Sequence, residues 1–194
     1  MPLVLACGRR GSGSGGRIMT CVAAIEDGKR VWLAADTGVS SDDGWTDNTH
    51  GKIWKHAPGV AFGVAGAANA MQLVRYRLRA PRRPAGMDGM RWCITRLVPA
   101  LKKILKDEVR DADGNLDFEM VVAVDGRAFL IDDGLAVLQA PRGYTAIGCG
   151  RDIALGALFS TKRQSPKARV CKAVEAACTH SNACALPLEV ICVP

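Results

Sequence analysis

The chain has 194 residues, 48% of them hydrophobic and 23% charged, enough to bury one full core and too few for two ordinary domains. No apolar run approaches the roughly 18 residues that a bilayer-spanning helix needs, so no membrane partner is expected. The formal charge of +7 invites a nucleic-acid reading, yet three of those charges (Arg9, Arg10, Arg17) sit in an acid-free N-terminal stretch, and the balance is ordinary for a soluble domain.

Residues 1–18 contain Gly11-Ser12-Gly13-Ser14-Gly15-Gly16, flexible-linker composition without apolar periodicity, and read as a leader outside a folded unit at 19–194. From Cys21 the pattern changes. Cys21–Ile25 and Val31–Ala35 are apolar runs around a Glu26-Asp27-Gly28-Lys29 turn and predict a hairpin. The stretch 39–47 is polar and turn-rich, and Lys52–Lys55 and Val60–Val64 read as a second strand pair. Ala67–Arg79 has helical spacing and should stop at Pro81; Met90–Val109 repeats Ile94, Leu97, Val98, Leu101, Ile104 and Leu105 at three and four residues, with Pro99 expected to kink or divide it. Met120–Val124 and Ala128–Ile131 flank Asp125-Gly126 as another hairpin, followed by short strands at Ala136–Leu138 and Tyr144–Ile147. Helices at Asp152–Ser160 and Ser165–Cys178 and a strand at Leu186–Val193 close the chain. This order predicts two sheets faced by helices on both outer sides.

The arginines at 75, 77, 79, 82 and 83, broken by Pro81 and Pro84, read as a solvated helix end rather than a phosphate-binding surface, so no nucleic-acid partner is expected. Eight cysteines without a charged secretory leader predict reduced thiols in a cytoplasm rather than a disulfide framework. Cys171, Cys178, Cys184 and Cys192, with His180 among them, lack the CxxC pairs of a structural zinc site and read as small packing residues, and no motif asks for a cofactor.

Thr20, Asp36 and Lys52 stand at equal intervals of sixteen positions. A threonine hydroxyl is a poor nucleophile unless a base takes its proton, and a free α-amine on the same residue, with a value of about 7.7–8.0, can be that base. Thr20 would then have to be N-terminal. A Lys52 ammonium would favour the neutral amine and stabilise a developing alkoxide, and Asp36 would hold that lysine charged and oriented. Cys21 as terminal nucleophile would disturb both intervals, and His50 and His56 lack the Ser/Cys-His-Asp company that a histidine mechanism needs.

Met19-Thr20-Cys21-Val22-Ala23-Ala24-Ile25, Ala34-Ala35-Asp36 and Gly51-Lys52-Ile53 resemble the opening of proteasome β-type subunits, and most closely the HslV-type peptidases. Phe62-Gly63-Val64-Ala65-Gly66-Ala67 resembles the family's glycine-rich strand end, where Gly63 takes the place of the oxyanion-binding N–H, and Ala146–Gly150 resembles its Ile-Gly-Ser-Gly segment. The resemblance implies the α+β, four-layer αββα fold of the N-terminal-nucleophile (Ntn) hydrolases, a threonine-type peptidase with Thr20, Asp36, Lys52 and Gly63 at its site, a homo-oligomeric ring, and an ATP-dependent unfoldase that feeds protein or peptide substrate to it. Two departures stand out: Cys149 replaces the family's assisting serine, and Thr179-His180-Ser181 does not match the family's aspartate and serine. An amidohydrolase of small amides and a structural ring subunit with a blocked nucleophile are the competing readings. Self-processing members of the family carry glycine before the nucleophile; Met19 there suggests a start codon, with methionine removal exposing Thr20.

Overall fold

The computed structural model describes residues 17–41, 44–47, 51–105, 116–182 and 184–194. The first hairpin forms as the pattern predicts, β2 (Val22–Glu26) against β3 (Val31–Asp36), and its far edges take β11 (Tyr144–Ile147) and β12 (Leu188–Val193). These four strands make one antiparallel sheet in the order β11-β2-β3-β12. A second antiparallel sheet runs β7 (Val60–Ala67), β8 (Phe118–Val124), β9 (Arg127–Ile131), β10 (Val137–Gln139). The outer edge of β7 carries β6 (Ile53–Ala57) over its first half and β1 (Arg17–Ile18) at its end.

Why the strand runs are continuously apolar rather than alternating is plain from where their faces go. In β2 and the residue before it, Cys21, Ala23 and Ile25 face helices, while Val22 and Ala24 face the other sheet. In β7 and β8, Phe62, Val64, Met120 and Val122 face helices, while Ala61, Ala65, Val121 and Ala123 face the other sheet. Both faces of each sheet are therefore buried, which removes the polar positions that period-2 alternation would show. Small residues line much of the inter-sheet layer. Three apolar layers separate four structural ones, an αββα sandwich among the described residues.

One outer layer holds α1 (Ala68–Tyr76), α2 (Gly89–Trp92) and α3 (Val98–Ile104); the other holds α4 (Arg151–Ser160) and α5 (Pro166–His180). Helix α1 stops before Pro81, because the N–H groups of Arg77 and Leu78 both close on the Leu73 carbonyl, at 2.9 and 3.0 Å. The predicted 90–109 helix is observed to Ile104, and residues 106–115, including its expected end, lie outside the described residues. Between α2 and α3 runs a π-helical segment, Cys93–Leu97, with Pro99 in the first turn of α3. The wider turn sits where the proline lacks an N–H to donate. Helix α5 starts on a Ser165 cap, whose hydroxyl accepts from Ala168 N, with Pro166 in its first turn.

Two features differ from expectation. The polar stretch at 39–47 holds a small hairpin, β4 (Gly38–Ser41) with β5 (Gly44–Asp47), which its composition does not announce. Arg17 and Ile18, expected outside the fold, pair with Ala67 and Gly66. Residues 1–16 lie outside the described residues.

Candidate active site

The pairing of β2 with β3 places Cys21 beside Asp36: Asp36 N donates to Cys21 O at 3.3 Å, and Cys21 N donates to Asp36 Oδ1 at 2.8 Å. Lys52 sits just ahead of β6, its carbonyl accepting from Val64 N at 3.0 Å, so β7 fixes its backbone. From α1, Arg75 Nη1 donates to the neighbouring Gly51 carbonyl at 3.2 Å while its guanidinium lies 5.1 Å from the Trp54 ring centroid. Held this way, Lys52 Nζ donates to both carboxylate oxygens of Asp36 at 2.9 Å and to the carbonyl of Met19, also at 2.9 Å. Asp36 Oδ2 accepts a further N–H, from Ala185 at 3.2 Å. Both side chains are 0% exposed.

Burial pulls the Lys52 ammonium below the ordinary lysine value, and the Asp36 carboxylate opposes that pull by Coulomb attraction and hydrogen bonding. All three ammonium donors have partners, and the carboxylate is bonded from two backbone N–H groups and a cation. A pair this well satisfied escapes the usual penalty of an uncompensated buried charge. Behind it lies a patch of thiols. Cys184 is pushed up by a hydrogen bond with Cys21 and then by burial; Cys178 is pushed up to about 12, mainly by burial and then by Asp36. These two thiols stay protonated.

Thr20 is buried, and its carbonyl accepts from Gly150 N at 3.2 Å. The turn after β11 presses on it so closely that a Cβ on Gly148 would stand 2.3 Å from Thr20 O, and Gly148 has φ +84°. Only glycine fits both demands. Met19 O is the carbonyl of the peptide bond that precedes Thr20, so Lys52 contacts the very bond whose cleavage would free the Thr20 amine.

Gly63 lies in mid-strand, paired with Ile53 on one side and Val121 on the other, and a Cβ there would meet Val22 Cγ1 at 2.8 Å in the inter-sheet layer. Its lack of a side chain lets the two sheets close together. Three residues on, Gly66 has φ +114° and pairs with Ile18 at the edge of β7. Val64 N points toward Lys52 and Ala67 N toward Asp117 O on β8, so strand alternation turns Gly66 N to the Lys52 and Ile18 side.

Of the other residues weighed, Cys21 points into the layer between its sheet and α4/α5. His56 stacks on Phe62 at 4.6 Å, with its value lowered by burial. His50 lies outside the described residues. Cys149 is exposed on the Gly148–Gly150 turn, and Ser181 follows the last residue of α5. Among the described residues, no group of three His, Cys, Asp or Glu is placed to hold a metal ion, and no helix is long and apolar enough to cross a membrane.

No protein-family model and no curated protein matches the chain. Solved structures do. Thiobacillus denitrificans BPH in complex with epoxomicin superposes with a TM-score of 0.74 at 19% identity, over 89% of this chain and 97% of that one. A second structure of the same BPH gives 0.70 at the same identity and coverage. Eukaryotic HslV from Trypanosoma brucei gives 0.67 at 17% identity, over 89% of this chain and 98% of that one. The chain has the proteasome-type Ntn-hydrolase fold. At these identities the likeness establishes that architecture, with its two antiparallel sheets between helical layers, and leaves the chemistry to be argued from the residues.

Several parts of this Ntn-fold site have no side-chain signature: the Met19 and Thr20 carbonyls and the N–H groups of Gly150 and Ala185 are backbone atoms. The positive φ of Gly66 and Gly148 was legible only as a choice of glycine, shared with many packing positions.

Proposed function

We propose that the chain is a threonine-type peptidase in which Thr20, once N-terminal, is the nucleophile. The observation that carries this reading is Lys52, which is chelated by Asp36 and bonded to the carbonyl immediately before Thr20. After Met19 departs, the ammonium stands beside the new α-amine. There it favours the neutral amine, which takes the Thr20 hydroxyl proton as Oγ attacks a substrate carbonyl. The tetrahedral intermediate then collapses with cleavage of the scissile C–N bond, the leaving amine takes that proton from the Thr20 ammonium, and water activated by the same amine releases the acyl-enzyme.

For the oxyanion we propose Gly66 N–H in place of Gly63. Gly66 N turns to the edge of β7 that Ile18 of β1 occupies, an edge that departure of the leader would vacate, whereas Gly63 lies between β6 and β8 and serves the packing of the sheets. An oxyanion donor must aim where charge develops, and losing one costs about 10²–10³ in kcat.

With residues 17–19 attached, Thr20 is buried and its nitrogen is an amide, so this form is inactive. Two routes free it: translation from Met19 with methionine removal, or cleavage of the Met19–Thr20 bond. Assembly into a homo-oligomeric ring served by an ATP-dependent unfoldase, in a cytoplasm, belongs to the same proposal. BPH, which shares the fold, was solved with epoxomicin bound, and the proposal extends binding of epoxomicin to this chain.

The test is hydrolysis of fluorogenic peptides by protein beginning at Thr20, beside its Thr20→Ala variant. Turnover in the first and none in the second, with equal thermal stability, is expected. Equal turnover in both would end the Thr20 assignment. Activity on simple amides but on no peptide would move the substrate class to small amides, and an uncleaved leader in the native protein would make the chain a structural subunit.

A further inference from the structure

The turn that holds Thr20 is itself held from the other sheet, by a residue that the proposed mechanism does not use. Glu119 lies in β8, in register with Ala65 one residue before Gly66. Its Oε2 accepts from Gly148 N at 3.0 Å, and its Oε1 accepts from Arg151 Nη1 at 3.3 Å. Between those two anchor points lies Gly150, whose N–H holds the Thr20 carbonyl, and Arg151 N in turn donates to Gly148 O at 3.1 Å. One carboxylate thus grips both ends of a four-residue turn whose middle clamps the nucleophile.

The same short stretch of β8 also reaches the other half of the site. Asp117 O accepts from Ala67 N at 2.9 Å, and a Cβ on Gly66 would stand 2.3 Å from that oxygen. Residues 117–119 therefore fix the end of β7 with a backbone carbonyl and the Thr20 turn with a side chain. Small displacements of either part from productive geometry are costly to rate, because the gain from orientation falls off within about an ångström.

We propose that Glu119 is a positioning residue of this enzyme: it sets the distance between the Thr20 carbonyl clamp and the end of β7, and so aligns the hydroxyl with the oxyanion donor. The proposal rests on the threonine-peptidase reading. A carboxylate or an amide oxygen at this place serves alike for the Gly148 bond, since either accepts an N–H. The exposed pair with Arg151 is a secondary support, screened by solvent.

The experiment compares Glu119→Ala and Glu119→Gln with the parent, all beginning at Thr20, by steady-state peptide hydrolysis and by hydrogen exchange of backbone amides read by NMR. In Glu119→Ala, kcat is expected to fall about 10–100-fold with KM within about twofold, since orientation rather than substrate binding is lost. The Gly148 and Gly150 amides should exchange at least tenfold faster while those of β2 and β3 keep their protection, and Glu119→Gln should restore both readouts to within about threefold. Unchanged kcat in Glu119→Ala overturns the proposal. So does a loss shared equally by both variants together with faster exchange throughout β2 and β3, which is the signature of general destabilisation. If the parent hydrolyses no peptide, the peptidase reading fails, and the exchange data alone decide whether Glu119 holds the turn.

Discussion

Replacing Lys52 by methionine removes the cation while keeping most of the volume that it fills in a site with 0% exposure. Asp36 is then left as a buried carboxylate with two backbone N–H donors, from Cys21 at 2.8 Å and Ala185 at 3.2 Å. Removing one partner of a buried pair costs about 3–5 kcal/mol, and the surviving N–H bonds place this case near the lower end. For a chain of this length each kcal/mol moves Tm by about 2–4 °C, so a fall of about 6–12 °C is expected in thermal unfolding followed by circular dichroism. Adding Asp36→Asn removes the stranded charge. Its amide oxygen can still accept from Cys21 N, so the double variant should recover at least half of the lost stability. A change below about 2 °C in Lys52→Met, or stability effects that add in the double variant to within about 0.5 kcal/mol, would falsify the account of a mutually dependent buried pair.

The same geometry sets the pH dependence of rate and stability and the cost of two glycine substitutions. The proposed mechanism needs Lys52 charged, and burial sets its value below the ordinary 10.5, so kcat should fall on the alkaline side below that pH. Asp36→Asn removes the influence that raises Lys52 and should shift this limb to lower pH; a limb that stays put would assign it to another group. The stability term has the opposite sense: between the lowered folded value and 10.5 the unfolded chain holds more protons at this lysine, so its contribution to stability rises with pH in that window. Gly148→Ala forces a Cβ toward Thr20 O and places alanine at φ +84°, at a backbone cost of about 1–2 kcal/mol, and should reduce kcat at least tenfold; a fully active variant would remove this turn from the site. Gly66→Ala meets Asp117 O at 2.3 Å and φ +114°, and should impair kcat through displacement of the β7 end, whereas an effect confined to Tm would argue against Gly66 as oxyanion donor.

The fold was legible because its central strands are buried on both faces. Val22–Glu26, Val31–Asp36 and Tyr144–Ile147 stand out as apolar runs between turn residues, and the helices expected at Asp152–Ser160 and Ser165–Cys178 form as α4 and α5. The β4–β5 hairpin was not legible, since residues 38–47 show neither an apolar run nor a strict alternation and the pairing is made by backbone groups. Nor was β1, because pairing of Arg17 and Ile18 with the end of β7 depends on an edge assembled from residues nearly fifty positions away. In the site, Asp36 and Lys52 announced themselves through charges at regular intervals, and the structure joins them in an ion pair. By family resemblance the oxyanion role falls on Gly63, and the proposal of Gly66 instead rests on the direction of an N–H, which spacing does not encode; a Cβ on Gly63 would meet Val22 in the inter-sheet layer, while Gly66 pairs with Ile18 at the edge of β7. Ala185 and Gly150 act through N–H groups that every residue but proline has, so side-chain chemistry gave no sign of them.

In the proposed mechanism Thr20 acts only with a free α-amine. The most direct measurement treats two forms of the protein, one beginning at Thr20 and one retaining Met19 and the residues before it, with a peptide vinyl sulfone, and then maps the adduct by intact mass and peptide sequencing. One adduct per chain, on Thr20, is expected in the first form, and none in a form whose leader remains attached. Labelling of Thr20 at equal rates in both forms, or labelling elsewhere in the first, would contradict it.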